Sequence, residues 1–110
     1  IADTIGAGKP DQVKKLFRRL VTDFGSSDFS AHFHDTRLLA LSNVKAAMGE
    51  GITKFDSCIA GLGGCPFAPG ASGNLATEDL VSMLHKEGYE TGISEEMLRN
   101  SAKLAAQLTK

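Results

Sequence analysis

The sequence has few cysteines, almost no net charge and no long apolar run. Its two cysteines, Cys58 and Cys65, could form at most one disulfide bridge, and their spacing matches no familiar zinc-binding pattern. With no sign of secretion, both thiols are expected to be reduced. The net charge of −1 gives no electrostatic reason to expect nucleic acid or a membrane as a partner. No stretch approaches the roughly 18 apolar residues that suggest a membrane span.

What the chain does contain is the composition of one globular domain, with 110 residues of which 42% are hydrophobic and 23% charged. Its clearest helix pattern covers residues 10–24, where Pro10 suits a first helical turn and Gly25 an end. The apolar residues of this helix recur at the spacing of one helical face. They are Val13, Leu16, Phe17, Leu20, Val21 and Phe24.

The remaining segments alternate between strand and helix patterns. Residues 1–4, 29–34 and 55–60 read as strands, and residues 40–48, 77–86 and a last segment capped by Ser94 read as helices. Strands that recur about every 27 residues between helices indicate β/α units around a parallel sheet. Three units are too few to close a (β/α)8 barrel of about 250 residues. We therefore expect residues 1–110 to be one partial domain: the C-terminal three β/α units of a TIM barrel, plus a final helix.

A loop rich in glycine separates the third strand from the helix that follows it. Residues 61–74 hold five glycines, two prolines and Cys65. Such a density of helix and strand breakers predicts a loop, and its backbone can approach a ligand closely. This loop is the first candidate for function.

The loop and the residues after it, Leu75–Val81, closely resemble the cysteine-loop signature of the 3-hydroxy-3-methylglutaryl-CoA lyase family. The resemblance extends from Ala2–Gly6 to about Gly92. It implies a TIM barrel of the pyruvate carboxyltransferase and lyase type that cleaves 3-hydroxy-3-methylglutaryl-CoA to acetoacetate and acetyl-CoA. It also implies an acyl-CoA substrate, a divalent cation (Mg²⁺ or Mn²⁺), and a homodimer for the complete protein. The implied location is the cytoplasm of a bacterium or the mitochondrial matrix of a eukaryote.

The second candidate for function is the motif His32-Phe33-His34. Residues two apart on a strand point to the same face, about 6.6 Å apart, so two imidazoles can converge on one ion. The alternative is two polar residues that merely line a barrel interior. Asn74 offers a side-chain oxygen, and nitrogen and oxygen ligands together leave Mg²⁺, Mn²⁺ or Zn²⁺ open. The resemblance implies that His32, His34 and Asn74 bind the cation, with a fourth ligand on a strand that this chain does not contain.

Cys65 is the predicted acid, because a thiol near a cation and a helix N-terminus can exchange protons near neutral pH. The alternative is an inert buried cysteine, which we expect for Cys58. The resemblance implies that Cys65 protonates the acetyl-CoA carbanion. It also implies that Asp3 takes part in catalysis at the hydroxyl proton, a structural carboxylate being the alternative. Glu78 is predicted to support the metal ligands from a second layer, and Asp79 to favour a helix N-terminus.

Three features depart from expectation or favour other functions. Gly6-Ala7-Gly8 is similar to the start of a phosphate-binding motif but lacks its third glycine, so a dinucleotide site is not expected. Leu38 and Lys9 replace the glycine and threonine usual in the family, and a leucine is not expected to adopt a glycine-only backbone.

A sister enzyme, such as an acyl-CoA-dependent synthase or a metal aldolase, is one alternative function. A non-catalytic fragment is the other.

Overall fold

Three short parallel strands form the centre of the structure. The computed structural model describes residues 1–3, 6–63 and 73–108. The strands lie side by side in chain order, and both pairs are parallel. This arrangement confirms the predicted β/α units. The strands are β1 (Ala2–Asp3), β2 (Ala31–Phe33) and β3 (Phe55–Asp56).

In the described ranges, four α-helices accompany the sheet, and local sequence signals set their ends. α1 starts at Pro10 and ends before Gly25, whose φ of 84° suits glycine. The hydroxyl of Ser94 accepts a hydrogen bond from the backbone N–H of Met97 (3.3 Å) and so caps the last helix as predicted. In the described part of the chain, no helix combines the length and the apolar character needed to span a membrane. The helices are α1 (Pro10–Phe24), α2 (Ala40–Gly49), α3 (Thr77–Lys86) and α4 (Glu95–Leu108).

The core lies between one face of the sheet and helices α1, α2 and α3. Ala31 and Phe33 of β2 are buried in it, whereas His32 between them is only half-buried. The predicted alternation of β2 is therefore confirmed. α4 contributes no buried residue, and its apolar Met97 and Leu108 are largely exposed. This helix contacts α3 and the turn after β3 rather than the sheet.

β3 ends earlier than the sequence indicated, because the chain changes its backbone partner after Asp56. The N–H of Cys58 donates to the carbonyl of Leu75, and the carbonyl of Cys58 accepts from the N–H of Thr77, each at 3.0 Å. A 3₁₀ turn follows at Ile59–Gly61. The prediction of a strand over residues 55–60 is therefore wrong, and so is the prediction of a core position for Cys58, which is half-buried.

The connection from β2 to α2 passes through a residue in the left-handed region. Leu38 has a φ of 57°, its N–H donates to the carbonyl of Asp35 (3.0 Å), and its side chain is highly exposed. Contrary to the expectation from sequence, this leucine does follow a backbone that favours glycine. The conformation costs about 1–2 kcal/mol for an L-residue, and burial of the side chain does not offset it here.

We predict that Leu38→Gly stabilises the protein by about 0.5–1 kcal/mol, because relief of the left-handed strain exceeds the entropy that glycine adds to the unfolded chain. Urea unfolding of wild-type and variant proteins measures this change. Leu39→Gly is the matched control, because Leu39 has an ordinary φ of −104° and is half-buried. That variant should be destabilised. A loss of stability in both variants would contradict the prediction.

Candidate metal centre

The imidazoles of His32 and His34 converge on one point. Phe33 between them faces the core, so both histidines project from the opposite face of the sheet. Their Nε2 atoms lie 3.2 Å apart, and their ring centroids 5.2 Å apart. The side chain of His34 is buried, while that of His32 is one-third exposed. The geometry that the sequence motif requires is therefore present.

His32 has a second partner on the neighbouring strand. The parallel register places His32 directly beside Asp56. Its Nδ1 atom lies 3.2 Å from Oδ2 of Asp56. The ring is thus held between a carboxylate on one side and the imidazole of His34 on the other. No sequence motif indicated a role for Asp56.

Asn74 reaches the same region from the far end of the glycine-rich loop. It forms an isolated antiparallel bridge with His34, and its Nδ2 donates to the carbonyl of Leu62 (2.8 Å). Its Oδ1 is buried and has no hydrogen-bond partner among the described residues. A side chain at Gly63 would come within 2.6 Å of Nδ2, so this approach requires glycine. A buried amide oxygen without a partner is costly unless something binds it.

The spacing of the two imidazole nitrogens fits a divalent cation. Two metal–nitrogen bonds of about 2.0–2.1 Å would set neighbouring nitrogens about 3.0–3.4 Å apart, and the observed 3.2 Å lies in that interval. The free oxygen of Asn74 suits hard or borderline cations. Residues 1–3, 6–63 and 73–108 contain no group of three or more His, Cys, Asp or Glu side chains able to hold a metal. A complete coordination shell therefore needs donors beyond His32, His34 and Asn74.

Asp3 is not brought to this point. It pairs in register with Phe33, on the core side of the sheet. Its two carboxylate oxygens accept hydrogen bonds from the N–H groups of Ala7 (3.1 Å) and Gly8 (2.8 Å). A side chain at Gly8 would lie 2.9 Å from the carboxylate. These contacts favour the structural alternative, in which Asp3 shapes the loop before α1, and the catalytic role stays a prediction.

Glu78 acts on the backbone next to Asn74 rather than on the histidines. Both of its carboxylate oxygens accept from the N–H of Ala60, at 3.0 and 3.1 Å. Ala60 has a φ of 56°, so the carboxylate holds a strained turn. Leu62 follows that turn, and its carbonyl accepts a hydrogen bond from the side chain of Asn74. Glu78 therefore supports Asn74 indirectly, through the backbone between Ala60 and Leu62. The predicted support of the metal ligands by Glu78 stays a prediction. If it applies, it acts through this series of contacts.

Three carboxylates lie close to one another at the start of α3. Burial raises the pKa of Asp79, and the neighbouring carboxylates of Glu78 and Asp35 raise it further. Asp35 is also committed to structure, because its Oδ1 accepts from the N–H of Ala40 at the start of α2 (3.2 Å).

An open cavity of about 490 Å³ lies beside Asn74. Its lining comes from the loop after β2, the 3₁₀ turn and the start of the segment before α3. It has room for a small ligand beside Asn74. The lining residues are Asp35, Thr36, Leu38, Ala60, Gly61, Gly73, Asn74 and Ala76. Cys65, the predicted acid, lies outside the described residues.

His85 lies apart from the candidate centre. It is half-buried between α3 and the start of α4. Its Nδ1 lies 2.9 Å from Oε2 of Glu95, and its Nε2 lies 2.8 Å from the hydroxyl of Thr91. The hydrogen bond from His85 lowers the pKa of Glu95. The His85–Glu95 pair joins α3 to α4. His85 therefore serves as a control residue for substitutions of the other histidines.

Three consecutive β/α units with parallel strands, and polar side chains where those strands end, are part of a TIM-barrel domain. The family follows from the sequence comparison: the HMGL-like family profile matches residues 1–105. The chain belongs to the HMGL-like family.

Relatives support this assignment across almost the whole chain. Hydroxymethylglutaryl-CoA lyase of Pseudomonas mevalonii is 48% identical over 98% of the chain, which covers 36% of that protein. The mitochondrial enzyme of the mouse is 42% identical over 97% of the chain and 33% of its own length. An HMG-CoA lyase from Acinetobacter baumannii, solved with coenzyme A and 3-methylmalate, superposes with a TM-score of 0.90 at 44% identity, covering 97% and 35%. The chain thus spans about a third of the length of these relatives.

We predict that Mn²⁺ binding by the complete protein depends on the converging imidazoles. His34→Ala should weaken the affinity by more than about a hundredfold, because it removes a ligand rather than a residue that supports one. His85→Ala should leave the affinity unchanged, since His85 is far from the centre in the fold. Isothermal titration calorimetry measures both. Equal affinities in wild type and His34→Ala would remove this histidine from the site.

Proposed function

We propose that the complete protein is a hydroxymethylglutaryl-CoA lyase and that this chain supplies one side of its catalytic centre. The observation that carries the proposal is the convergence of two imidazole nitrogens, 3.2 Å apart, near a buried amide oxygen with no described partner. Relatives of this name match nearly the entire chain. Their names and the donor set support the same chemistry.

The proposed substrate is 3-hydroxy-3-methylglutaryl-CoA. The Acinetobacter baumannii lyase was solved with coenzyme A and 3-methylmalate, a small hydroxy acid with two carboxylates. The cavity beside Asn74, with a volume of about 490 Å³, offers a place for a ligand of that kind. An acyl-CoA is therefore the proposed partner of the site.

His32, His34 and Asn74 would hold a divalent cation, proposed to be Mg²⁺ or Mn²⁺. When bound, such a cation supplies positive charge that polarises the hydroxyl and carboxylate oxygens of a substrate. The chain's own part is to fix the donors. Phe33 anchors β2 in the core, the sheet orients both imidazoles, and Leu62 holds the amide of Asn74 so that its oxygen stays free.

The proposed reaction is a carbon–carbon cleavage with one proton removed and one returned. A base takes the proton of the C3 hydroxyl, and the C3 oxygen becomes the ketone of acetoacetate. The C2–C3 bond breaks, and its electron pair stays on C2 as the enolate of acetyl-CoA. The thiol of Cys65 gives its proton to that carbon and completes acetyl-CoA. Asp3 is a weaker candidate for the base, because both of its oxygens already accept backbone hydrogen bonds.

The assembly and location of the complete protein are also proposed from its relatives. A homodimer is our proposal for the oligomer. Both a bacterial and a mitochondrial lyase are among the relatives, and either compartment suits an acyl-CoA enzyme.

We expect the complete protein to release acetoacetate from 3-hydroxy-3-methylglutaryl-CoA in a coupled assay, and to lose this activity on chelation of divalent cations. The 110-residue chain alone should be inactive, because it spans only about a third of the length of the lyases that it matches. Activity should return when Mg²⁺ or Mn²⁺ is added back. A complete protein that forms no acetoacetate under these conditions would support the non-catalytic alternative.

The role of Cys65 leads to a comparison between the two cysteines. Cys65→Ser in the complete protein should lower turnover at least about a hundredfold, because a hydroxyl is a far weaker acid than a thiol of pKa about 8.5. Mn²⁺ affinity should hardly change. Cys58→Ser should act on stability instead, since it puts a hydroxyl at a half-buried position. Normal turnover in Cys65→Ser, or equal loss in both variants, would remove Cys65 from the mechanism.

A further inference from the structure

The carboxylate of Asp56 faces the side of His32 that is turned away from His34. Nδ1 of His32 lies 3.2 Å from Oδ2 of Asp56, while Nε2 of the same ring lies 3.2 Å from His34. The two strands are paired in register at these residues, so the contact is built into the sheet rather than made by a loop. Asp56 is more than half exposed, and burial therefore does not explain its position.

The chemistry of the pair settles which nitrogen carries the proton. An ionised carboxylate can only accept a hydrogen bond, so Nδ1 of His32 must be the donor. In a neutral imidazole the other nitrogen, Nε2, then keeps its lone pair. That lone pair points at the place where the ring of His34 converges.

Asp56 is not itself a member of the donor set. The two nitrogens of an imidazole point away from each other, so a carboxylate on Nδ1 lies on the far side of the ring from Nε2. Consistently, His32, His34 and Asp56 do not form a three-residue group able to hold a metal in the described part of the chain. The carboxylate acts on the site through the ring.

We propose that Asp56 is a positioning residue of the cation site: it accepts the Nδ1 proton of His32 and so keeps the lone pair of Nε2 directed at the cation. The expected effect on metal affinity rests on the proposed cation site, whereas the tautomer of His32 does not depend on that site. A carboxylate behind a histidine ligand fixes the orientation of the ring and raises its basicity, and loss of such a partner costs about 10–100-fold in metal affinity.

The experiment combines two readouts on the complete protein. With ¹⁵N-labelled histidine in metal-free protein, NMR should show His32 protonated on Nδ1, and Asp56→Ala should move the proton to Nε2. Calorimetry with Mn²⁺ should show affinity lowered about 10–100-fold in Asp56→Ala. Asp56→Asn keeps an acceptor without the charge, so it should retain the tautomer and lose less affinity.

Asp23→Asn is the matched control, because it removes one carboxylate from the exposed face of α1. It should leave the tautomer and the affinity unchanged. Equal losses of affinity in Asp56→Ala and Asp56→Asn, with the tautomer intact, would reduce the role of Asp56 to its charge and overturn the inference. So would a wild-type His32 protonated on Nε2. If wild type binds no Mn²⁺, the cation site itself fails, and the tautomer alone decides the role of Asp56.

Discussion

The burial of Phe33 is the constraint on which the candidate centre depends. β2 is the middle strand, and its Phe33 is 3% exposed in the core formed with the helices. Since side chains alternate across a strand, burying Phe33 forces His32 and His34 to the opposite face. A slip of one residue would place an imidazole in the hydrophobic core, and burying this polar group there would cost free energy of folding. The packing that folds the sheet therefore also aims the two imidazoles.

Asn74 depends on a different kind of constraint, made of close backbone approaches. Gly61 and Gly63 both have positive φ, and a side chain on either would meet Asn74. The carboxylate of Glu78 fixes Ala60 just before them. The described ends of the glycine-rich loop are thus tied to each other and to β2, through Leu62 on one side and the bridge to His34 on the other. These contacts set the position of the amide oxygen of Asn74, which the sequence of the loop alone could only suggest.

The sequence predicted what local patterns determine. The apolar spacing and the flanking Pro10 and Gly25 define α1, and alternation in β2 places both histidines on one face. It could not predict the early end of β3, because the competing partners of Cys58 lie at Leu75 and Thr77, across the loop. Nor could it show that His32 and Asp56 are neighbours. That contact depends on the register of two strands, which no single strand's pattern contains.

The carboxylates around the candidate centre each contact a group of the protein, and this determines which donors remain for a cation. Asp56 faces Nδ1 of His32, Glu78 holds the N–H of Ala60, and Asp35 caps α2. Each is engaged with the protein, so in the described part of the chain the donors left for the proposed cation are two imidazole nitrogens and one amide oxygen. A divalent cation bound by neutral donors keeps most of its charge available to other ligands.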